Sequence, residues 1–531
     1  MSKKFLVFAA EPLSKAGQDL LRSSDQIELI TAEDDRAKDL SVLLPQIDAL
    51  VVRSATKVTA DYLRNCRRLK VIGRAGVGVD NIDVEEATAR GILVVNTPGG
   101  NTISTAEQTL ALLFAISRKT AHAHASVVAG KWDRKSFEGV ELYGKKLSII
   151  GMGRIGSEVA RRAIALGMRV AAYDPYLPLS RARALQVELV QTLEELLPDA
   201  DYITLHTPLT ETTRHLLNAK TLALCKRGVR IVNCARGGLI DEAALAQALR
   251  SGQVAAAGLD VFEIEPLPAD SPLRSAPNVT FTPHLGASTE EAQENVGVEV
   301  AEQIRDYLLA GIVRNAVNMP SVDAATLAAV RPYLQLGRRL GQLLSQLAEP
   351  NIERLTVVYQ GTITQHTTAP VTRAVLEGFL RAAAGPEMNQ VNVMRFAERL
   401  GLTVSDTKLS EPCDFSELLT VEVRRGEKVY SVAATFFGGQ PRIVRLNGQA
   451  IEAATEGNLL VIENRDRPGI VGFLGQLLAR HNLNIANMTL ARQQPGGLAL
   501  SIFQLDATPD RSVLQELLQE KDIFSAKLIV L

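Results

Sequence analysis

From Leu147 the chain reads LSIIGMGRIGSEVARRAIALGMRVAAYDP, an order of residues that few folds accommodate. Four residues suited to a buried strand run into Gly151-Met152-Gly153-Arg154-Ile155-Gly156, and the chain leaves as an amphipathic helix. Gly151 permits a tight turn, Gly153 lets a pyrophosphate approach the backbone, and Gly156 lets helix and strand pack closely. The free N–H groups and positive end of the helix then face phosphates. A second strand ends at Asp174, 18 positions after Gly156. A carboxylate there accepts hydrogen bonds from ribose hydroxyls and repels a 2′-phosphate, so NAD is the predicted cofactor. Arg181 and Arg183 follow closely enough to leave NADP as the alternative.

The rest of the chain is organised around this unit. Short β-branched runs alternate with helical stretches up to about residue 320, among them Phe5–Ala9, Ala49–Arg53, Lys70–Gly73, Leu93–Asn96, Tyr202–His206 and Arg230–Asn233. Such runs imply parallel strands covered on both faces. The predicted fold class is α/β: two doubly wound parallel-sheet, Rossmann-like domains with a cleft between them. The predicted boundaries are 1–97, completed by 290–320, for the first domain and 98–289 for the nucleotide-binding one. Residues 321–455 mix alternating strands with helices and carry no chemical motif, as expected of an α+β domain. Residues 456–531 read strand, helix, strand, strand, helix, strand, the ferredoxin-like βαββαβ order.

Lys and Arg total 58 against 59 Asp and Glu, which removes any global field favouring nucleic acid or an anionic membrane. Any basic site is therefore local. The four cysteines, Cys66, Cys225, Cys234 and Cys413, show no paired metal spacing and suit reduced thiols in a cytoplasmic protein. The opening MSKKFLVFAAEPL has too short an apolar run for a signal peptide, and no stretch approaches the ~20 apolar residues of a membrane span. No metal site and no membrane are expected.

Three further segments each lie just beyond a predicted strand, where doubly wound sheets place ligands. They are Asn233-Cys234-Ala235-Arg236-Gly237-Gly238, Leu259-Asp260-Val261-Phe262-Glu263-Ile264-Glu265-Pro266 and Thr282-Pro283-His284-Leu285-Gly286-Ala287. Together they offer an arginine, a carboxylate and a histidine. Oxidising an alcohol by hydride transfer requires removal of the hydroxyl proton, and an imidazole suits that work in both directions. A carboxylate on the other ring nitrogen fixes the tautomer and stabilises the imidazolium. A guanidinium holds a substrate carboxylate and polarises the adjacent carbonyl oxygen. Arg236, Glu265 and His284 are the candidate catalytic residues.

With these segments, the chain resembles the D-isomer-specific 2-hydroxyacid dehydrogenase family over residues 1–320. The segments VVRSATKVT, GRAGVGVDNID, NTPGGNTISTAEQTLAL and GKWDRKSF narrow the resemblance to members acting on 3-phosphoglycerate. It implies catalytic roles for the same Arg236, Glu265 and His284. It also implies cofactor contacts at Arg154, Ile155, Asp174, Thr207, Cys234, Ala235, Asp260, Leu285 and Gly286, beside Gly151, Gly153 and Gly156. A phosphorylated substrate needs further positive charge. Arg53 and Arg74 each follow a first-domain strand, and Gly76-Val77-Gly78 offers N–H groups for a carboxylate. Lys57, Arg134 and Lys135 are additional candidates, and the resemblance implies that the GKWDRK loop reaches a neighbouring subunit.

Residues 321–455 resemble the intervening domain of long-form members, and the last segment resembles an ACT domain, which pairs with its twin to bind an amino acid. The ACT signature lies in Glu463-Asn464-Arg465-Asp466-Arg467-Pro468-Gly469 and Asn484-Ile485-Ala486-Asn487. Asn464, Asp466 and Asn484 take positions that contact serine in serine-sensitive relatives. The resemblance therefore implies an L-serine effector and a homo-oligomer, dimer or tetramer; an assembly module without a ligand is the alternative. Two other readings compete for the whole chain. A hydroxypyruvate or glyoxylate reductase shares the trio but needs neither Arg53, Arg74 nor the tail. An NAD-sensing corepressor or scaffold has no need of an intact Arg–Glu–His set.

Overall fold

The structure is a computed structural model and describes residues 4–321, 324–385, 387–411 and 413–531. Its first sheet is wholly parallel, in the order Ile27–Thr31, Phe5–Ala9, Ala49–Val52, Val71–Arg74, Leu93–Asn96. The helix Glu290–Ala310 comes back to this sheet and buries Val296, Val300, Ala301 and Ile304 against Val7, Ala49, Val71 and Leu93. A side chain on Gly73 would sit 2.5 Å from Val300, so glycine is what lets that helix close on the sheet. The chain then runs along the outer strand: Val317 N–H donates to Val94, Asn96 N–H donates to Asn315, and Asn318 Oδ1 accepts from Val94 N–H. This strap covers an edge that would otherwise offer unpaired backbone groups.

The second sheet has seven parallel strands, in the order Val279–Phe281, Val254–Leu259, Val229–Asn233, Tyr202–Leu205, Lys146–Ile150, Arg169–Tyr173, Glu188–Val190. Strand order reverses between Lys146–Ile150 and Tyr202–Leu205, the switch point at which such sheets bind ligands. The helix Thr102–Arg118 links the two lobes and packs Leu112, Leu113 and Ile116 beneath the second sheet.

The third sheet, of six mostly antiparallel strands, runs Thr403–Leu409, Arg354–Gly361, Glu417–Arg425, Lys428–Phe437, Gln440–Leu446, Gln449–Ala454. It packs on the helices Ala324–Leu347 and Ala369–Ala384. The last sheet is antiparallel, in the order Ile485–Arg492, Leu498–Leu505, Asn458–Arg465, Ile523–Val530. One of its faces buries Leu460, Ile462 and Phe503 under its own helices, Ile470–Arg480 and Arg511–Leu518. Its other face, Leu459, Val461, Leu500, Ile502 and Ile529, belongs to the same core as Leu336, Leu340 and Leu347 of the preceding region. Gln346 completes the union as a strand would, accepting from Val530 N–H at 3.0 Å and donating to Val530 O at 3.0 Å. The two C-terminal modules therefore share one hydrophobic core. Among the described residues no helix is long and apolar enough to cross a membrane.

Candidate active site

The glycine-rich turn is built as its residues require. Gly151 has φ +96°, and a Cβ there would meet the backbone of His206 at 2.8 Å; a Cβ on Gly156 would lie 2.1 Å from the Gly151 carbonyl oxygen. Gly153 precedes the helix Arg154–Ala165 and faces open space. That opening, beside a helix N-terminus, accommodates a pyrophosphate. Thr207, across the switch point, has a buried hydroxyl without a hydrogen-bond partner. Asp174 accepts Met152 N–H at 2.8 Å on one oxygen and Tyr176 N–H at 2.9 Å on the other. Each oxygen keeps lone pairs for ribose hydroxyls. Arg181 and Arg183 are exposed on the short helix Leu179–Ala184. Ile155 packs into the core beneath the turn, and Arg154 extends toward Gly99 and the carboxylate of Glu299. These residues fit NAD.

At the cleft, His284 Nδ1 and Glu265 Oε2 lie 2.8 Å apart. Burial acts to raise the Glu265 pKa, but the bond to His284, its charge, the Phe262 N–H and Arg236 outweigh it and hold the carboxyl below its ordinary range. His284 has φ +58°, a left-handed conformation that a non-glycine residue keeps only where its surroundings impose it. Asp260 imposes it. That carboxylate is fully buried, and accepts Thr282 Oγ1 at 2.5 Å, Leu285 N–H at 2.8 Å and Gly286 N–H at 2.9 Å. Ser104 and Thr105 clamp the loop from the linking helix, both donating to Gly286 O. Asp260, Leu285 and Gly286 thus form a buttress for the histidine loop. Cys234 is buried, and burial pushes its thiol pKa up, so what this position turns outward is backbone. Asn233 holds the next turn, accepting from Ala235 N–H and donating to Arg236 O.

The arginines converge on the Gly76–Gly78 loop. A Cβ on Gly76 would lie 1.5 Å from Arg74 Nη1, and one on Gly78 would lie 2.0 Å from Arg236 Nη2. Burial, followed by repulsion from Arg236, depresses the Arg74 pKa to about 10; Arg53 adds to the repulsion while Glu11 and Asp80 oppose it. Three cations thus lie near Glu11, Asp80 and, beyond Arg236, Glu265, and Arg74 Nε is buried with no hydrogen-bond partner. A cluster of guanidinium groups of this kind suits an oxyanion substrate. The sequence reading missed Glu11 and Asn81, which set the Arg53 loop. Glu11 accepts N–H bonds from Arg53, Ala55 and Thr56, and Asn81 donates to the Arg53 and Thr56 carbonyls. Glu11 lies two residues past the strand Phe5–Ala9, so the strand-end rule that selected Arg53 also reaches it. Lys57, Arg134 and Lys135 are exposed.

In the C-terminal module the three proposed effector residues each have partners within the chain. Asn464 is fully buried; its amide donates to Arg465 O and accepts from Ser501 Oγ at 3.0 Å. One N–H and one lone pair of the amide are thereby used inside the sheet. Asp466 is paired with Arg492 at 2.9 Å and with Gly496 N–H, and Asn484 with Asp506 at 2.6 Å. The latter two remain at the surface of the module.

A nucleotide cradle at the switch point, a carboxylate–imidazole pair and an arginine over the facing loop define an NAD-dependent 2-hydroxyacid dehydrogenase. Comparison with known proteins agrees. Residues 110–286 match the model for the D-isomer specific 2-hydroxyacid dehydrogenase NAD binding domain. Residues 329–447 match the D-3-phosphoglycerate dehydrogenase intervening domain, and 458–522 the ACT domain. D-3-phosphoglycerate dehydrogenase of Bacillus subtilis (strain 168) is 42% identical, covering 99% of both chains. That of Methanocaldococcus jannaschii is 41% identical over 98% of this chain and 99% of its own. Among solved structures, a D-lactate dehydrogenase from Aquifex aeolicus complexed with NAD and lactic acid is 28% identical, with TM-score 0.52. It aligns with 60% of this chain and all of its own. The chain belongs to the D-3-phosphoglycerate dehydrogenase family.

Proposed function

We propose that the chain oxidises 3-phospho-D-glycerate to 3-phosphohydroxypyruvate with NAD, the step that opens the phosphorylated route to L-serine. The observation that carries this reading is the meeting of Arg74 and Arg236 at the Gly76–Gly78 loop, with Arg53 near enough to repel Arg74, within the lobe that faces the nucleotide cradle. The Gly151–Gly156 turn and Asp174 would hold NAD, which would supply the acceptor for the hydride of the carbinol carbon. His284, with Nδ1 bonded to Glu265, presents Nε2 to the hydroxyl and takes its proton. Glu265 steadies the imidazolium that results. Arg236 holds the carboxylate and polarises the developing carbonyl, while the Val77 and Gly78 N–H groups complete the carboxylate site, Gly76 N–H being donated to Arg74 O. Arg53 and Arg74 bind the phosphate, and Arg134 of a neighbouring subunit joins them. The working units are 1–97 completed by 290–320, 98–289, 321–455 and 456–531.

Arg74→Ala tests the phosphate assignment. It is expected to lower kcat/KM for 3-phosphohydroxypyruvate by ~10-fold or more while changing an unphosphorylated 2-oxo acid by far less, because only the former loses a charge-assisted contact. Equal losses for both substrates, measured by NADH consumption, would assign Arg74 a general structural role.

Regulation by L-serine and a homo-oligomeric state, dimer or tetramer, form part of the same proposal. Asp466 and Asn484 lie at the surface of a module without catalytic residues, with Asp466 suited to an ammonium group. Trp132, 84% exposed on the loop that carries Arg134, suits a subunit contact. Four free cysteines are in keeping with a cytoplasmic setting. Calorimetry with L-serine on the full chain checks the effector; absence of binding heat at millimolar ligand rules it out.

A further inference from the structure

Arg236 belongs to the nucleotide-binding lobe, yet its side chain is organised by the other one. Its Nε donates to Asp80 Oδ2 at 3.1 Å, and its Nη1 donates to its neighbour's carbonyl, Ala235 O, at 2.6 Å. Its Nη2 occupies the space that a side chain on Gly78 would fill, and Asp80 Oδ2 lies 2.7 Å from that same point. Every edge of the guanidinium is thereby directed. One edge is fixed to the first lobe, one to its own loop, and one is laid over the backbone where a substrate carboxylate binds. Among the described residues, Asp80–Arg236 is the one ion pair that joins the lobe of the first sheet to that of the second.

We infer that Asp80 is a positioning residue for the reaction. It spans the cleft to orient Arg236, so that arrival of the two lobes and aiming of the polarising guanidinium become one event. The inference rests on the reading of Arg236 as the group that polarises the substrate carbonyl. A planar guanidinium gains from a carboxylate in a fixed direction, and catalysis through it is sensitive to displacements of about 1 Å. Asp80 itself is mostly exposed and lies outside the hydride path; its hydrogen bond is to Arg236, and its charge also offsets repulsion at Arg74, so the test is read in kcat.

This origin gives Asp80 a distinctive signature. Arg236 acts on the carboxylate end that all 2-oxo acids share, so loss of Asp80 penalises phosphorylated and unphosphorylated substrates alike. Loss of Arg74 does not. The test is steady-state reduction by Asp80→Asn, Asp80→Glu and wild type, with 3-phosphohydroxypyruvate and with an unphosphorylated 2-oxo acid. NADH affinity is followed by fluorescence to show that the nucleotide lobe is intact. Asp80→Asn is expected to lose ~10-fold or more in kcat with both substrates, with NADH affinity unchanged, and Asp80→Glu to recover part of the loss. Combined with Arg236→Gln, Asp80→Asn is expected to add little, because both changes remove one coupled unit. Wild-type kcat in Asp80→Asn, or full additivity with Arg236→Gln, overturns the inference. Should Asp80→Asn fail to fold, Asp80→Glu in the same additivity cycle decides it. Inactivity of wild type toward 2-oxo acids would instead overturn the functional reading.

Discussion

His284→Ala lowers turnover by ~10²-fold or more while leaving NAD binding intact, as expected on removal of a general acid–base. The expectation has a structural basis beyond residue type. Three donors converging on buried Asp260 and two more on Gly286 O keep this loop in place without the imidazole. Alanine therefore deletes the proton carrier without releasing its support. Pre-steady-state hydride transfer and NADH fluorescence titration measure the two quantities separately; turnover within threefold of wild type would remove His284 from proton transfer. The companion change Glu265→Gln is expected to lower turnover and to move the alkaline limb of the reduction profile to lower pH. A neutral amide stabilises imidazolium less than the carboxylate that His284, Phe262 N–H and Arg236 together keep ionised.

The second large effect concerns stability. Ile502 is buried on the face of the last sheet that completes the core of the preceding region. Ile502→Asp places a carboxylate there without a partner, at an expected loss of several kcal/mol. Because that core is common to both modules, the loss is expected to reach residues 329–447 as well as the mutated module. Pulse proteolysis of the full chain reads this directly: the two regions become susceptible together while the nucleotide-binding lobe persists. Protection of the intervening region at wild-type level would show that the two cores are separate. By the same reasoning, a chain ending near Ala454 exposes Leu336, Leu340 and their neighbours and is a poor vehicle for testing regulation.

Much of this was legible in the sequence, for physical reasons that can be named. The fold class and the nucleotide cradle followed from glycines whose conformations no other residue adopts cheaply and from a carboxylate at a fixed distance along the chain. Strands whose residues carry little signal of their own are held by their surroundings. Val254–Leu259, expected only from its place ahead of the Leu259–Pro266 segment, is rich in alanine and takes hydrogen bonds from neighbours on both sides. Thr403–Leu409 is a polar edge strand. The hairpin Gln440–Leu446/Gln449–Ala454 did carry a signal, Asn447-Gly448, with both residues at positive φ as a tight hairpin turn requires. At the site, strand ends pointed to Arg53, Arg74, Arg236, Glu265 and His284, which the structure brings to one cleft. What strand ends cannot reveal is which side chains buttress which loops. Asp260 under His284, Glu11 under Arg53 and Asp80 across from Arg236 are contacts between segments distant in sequence. Nor does the strand's alternation alone show that the Asn464 amide is bonded to Ser501 within the sheet.

The central claim is that the cationic loop and the histidine pair together select a phosphorylated 2-hydroxy acid. Initial rates of NAD reduction by the wild-type enzyme, with 3-phospho-D-glycerate and D-glycerate compared at equal concentration, test it most directly. The account predicts NADH formation from the phosphorylated acid with a kcat/KM at least ~10²-fold above that for D-glycerate, the margin expected when charge-assisted contacts to one group are gained. Comparable efficiency with the two acids, or turnover of D-glycerate alone, would contradict it.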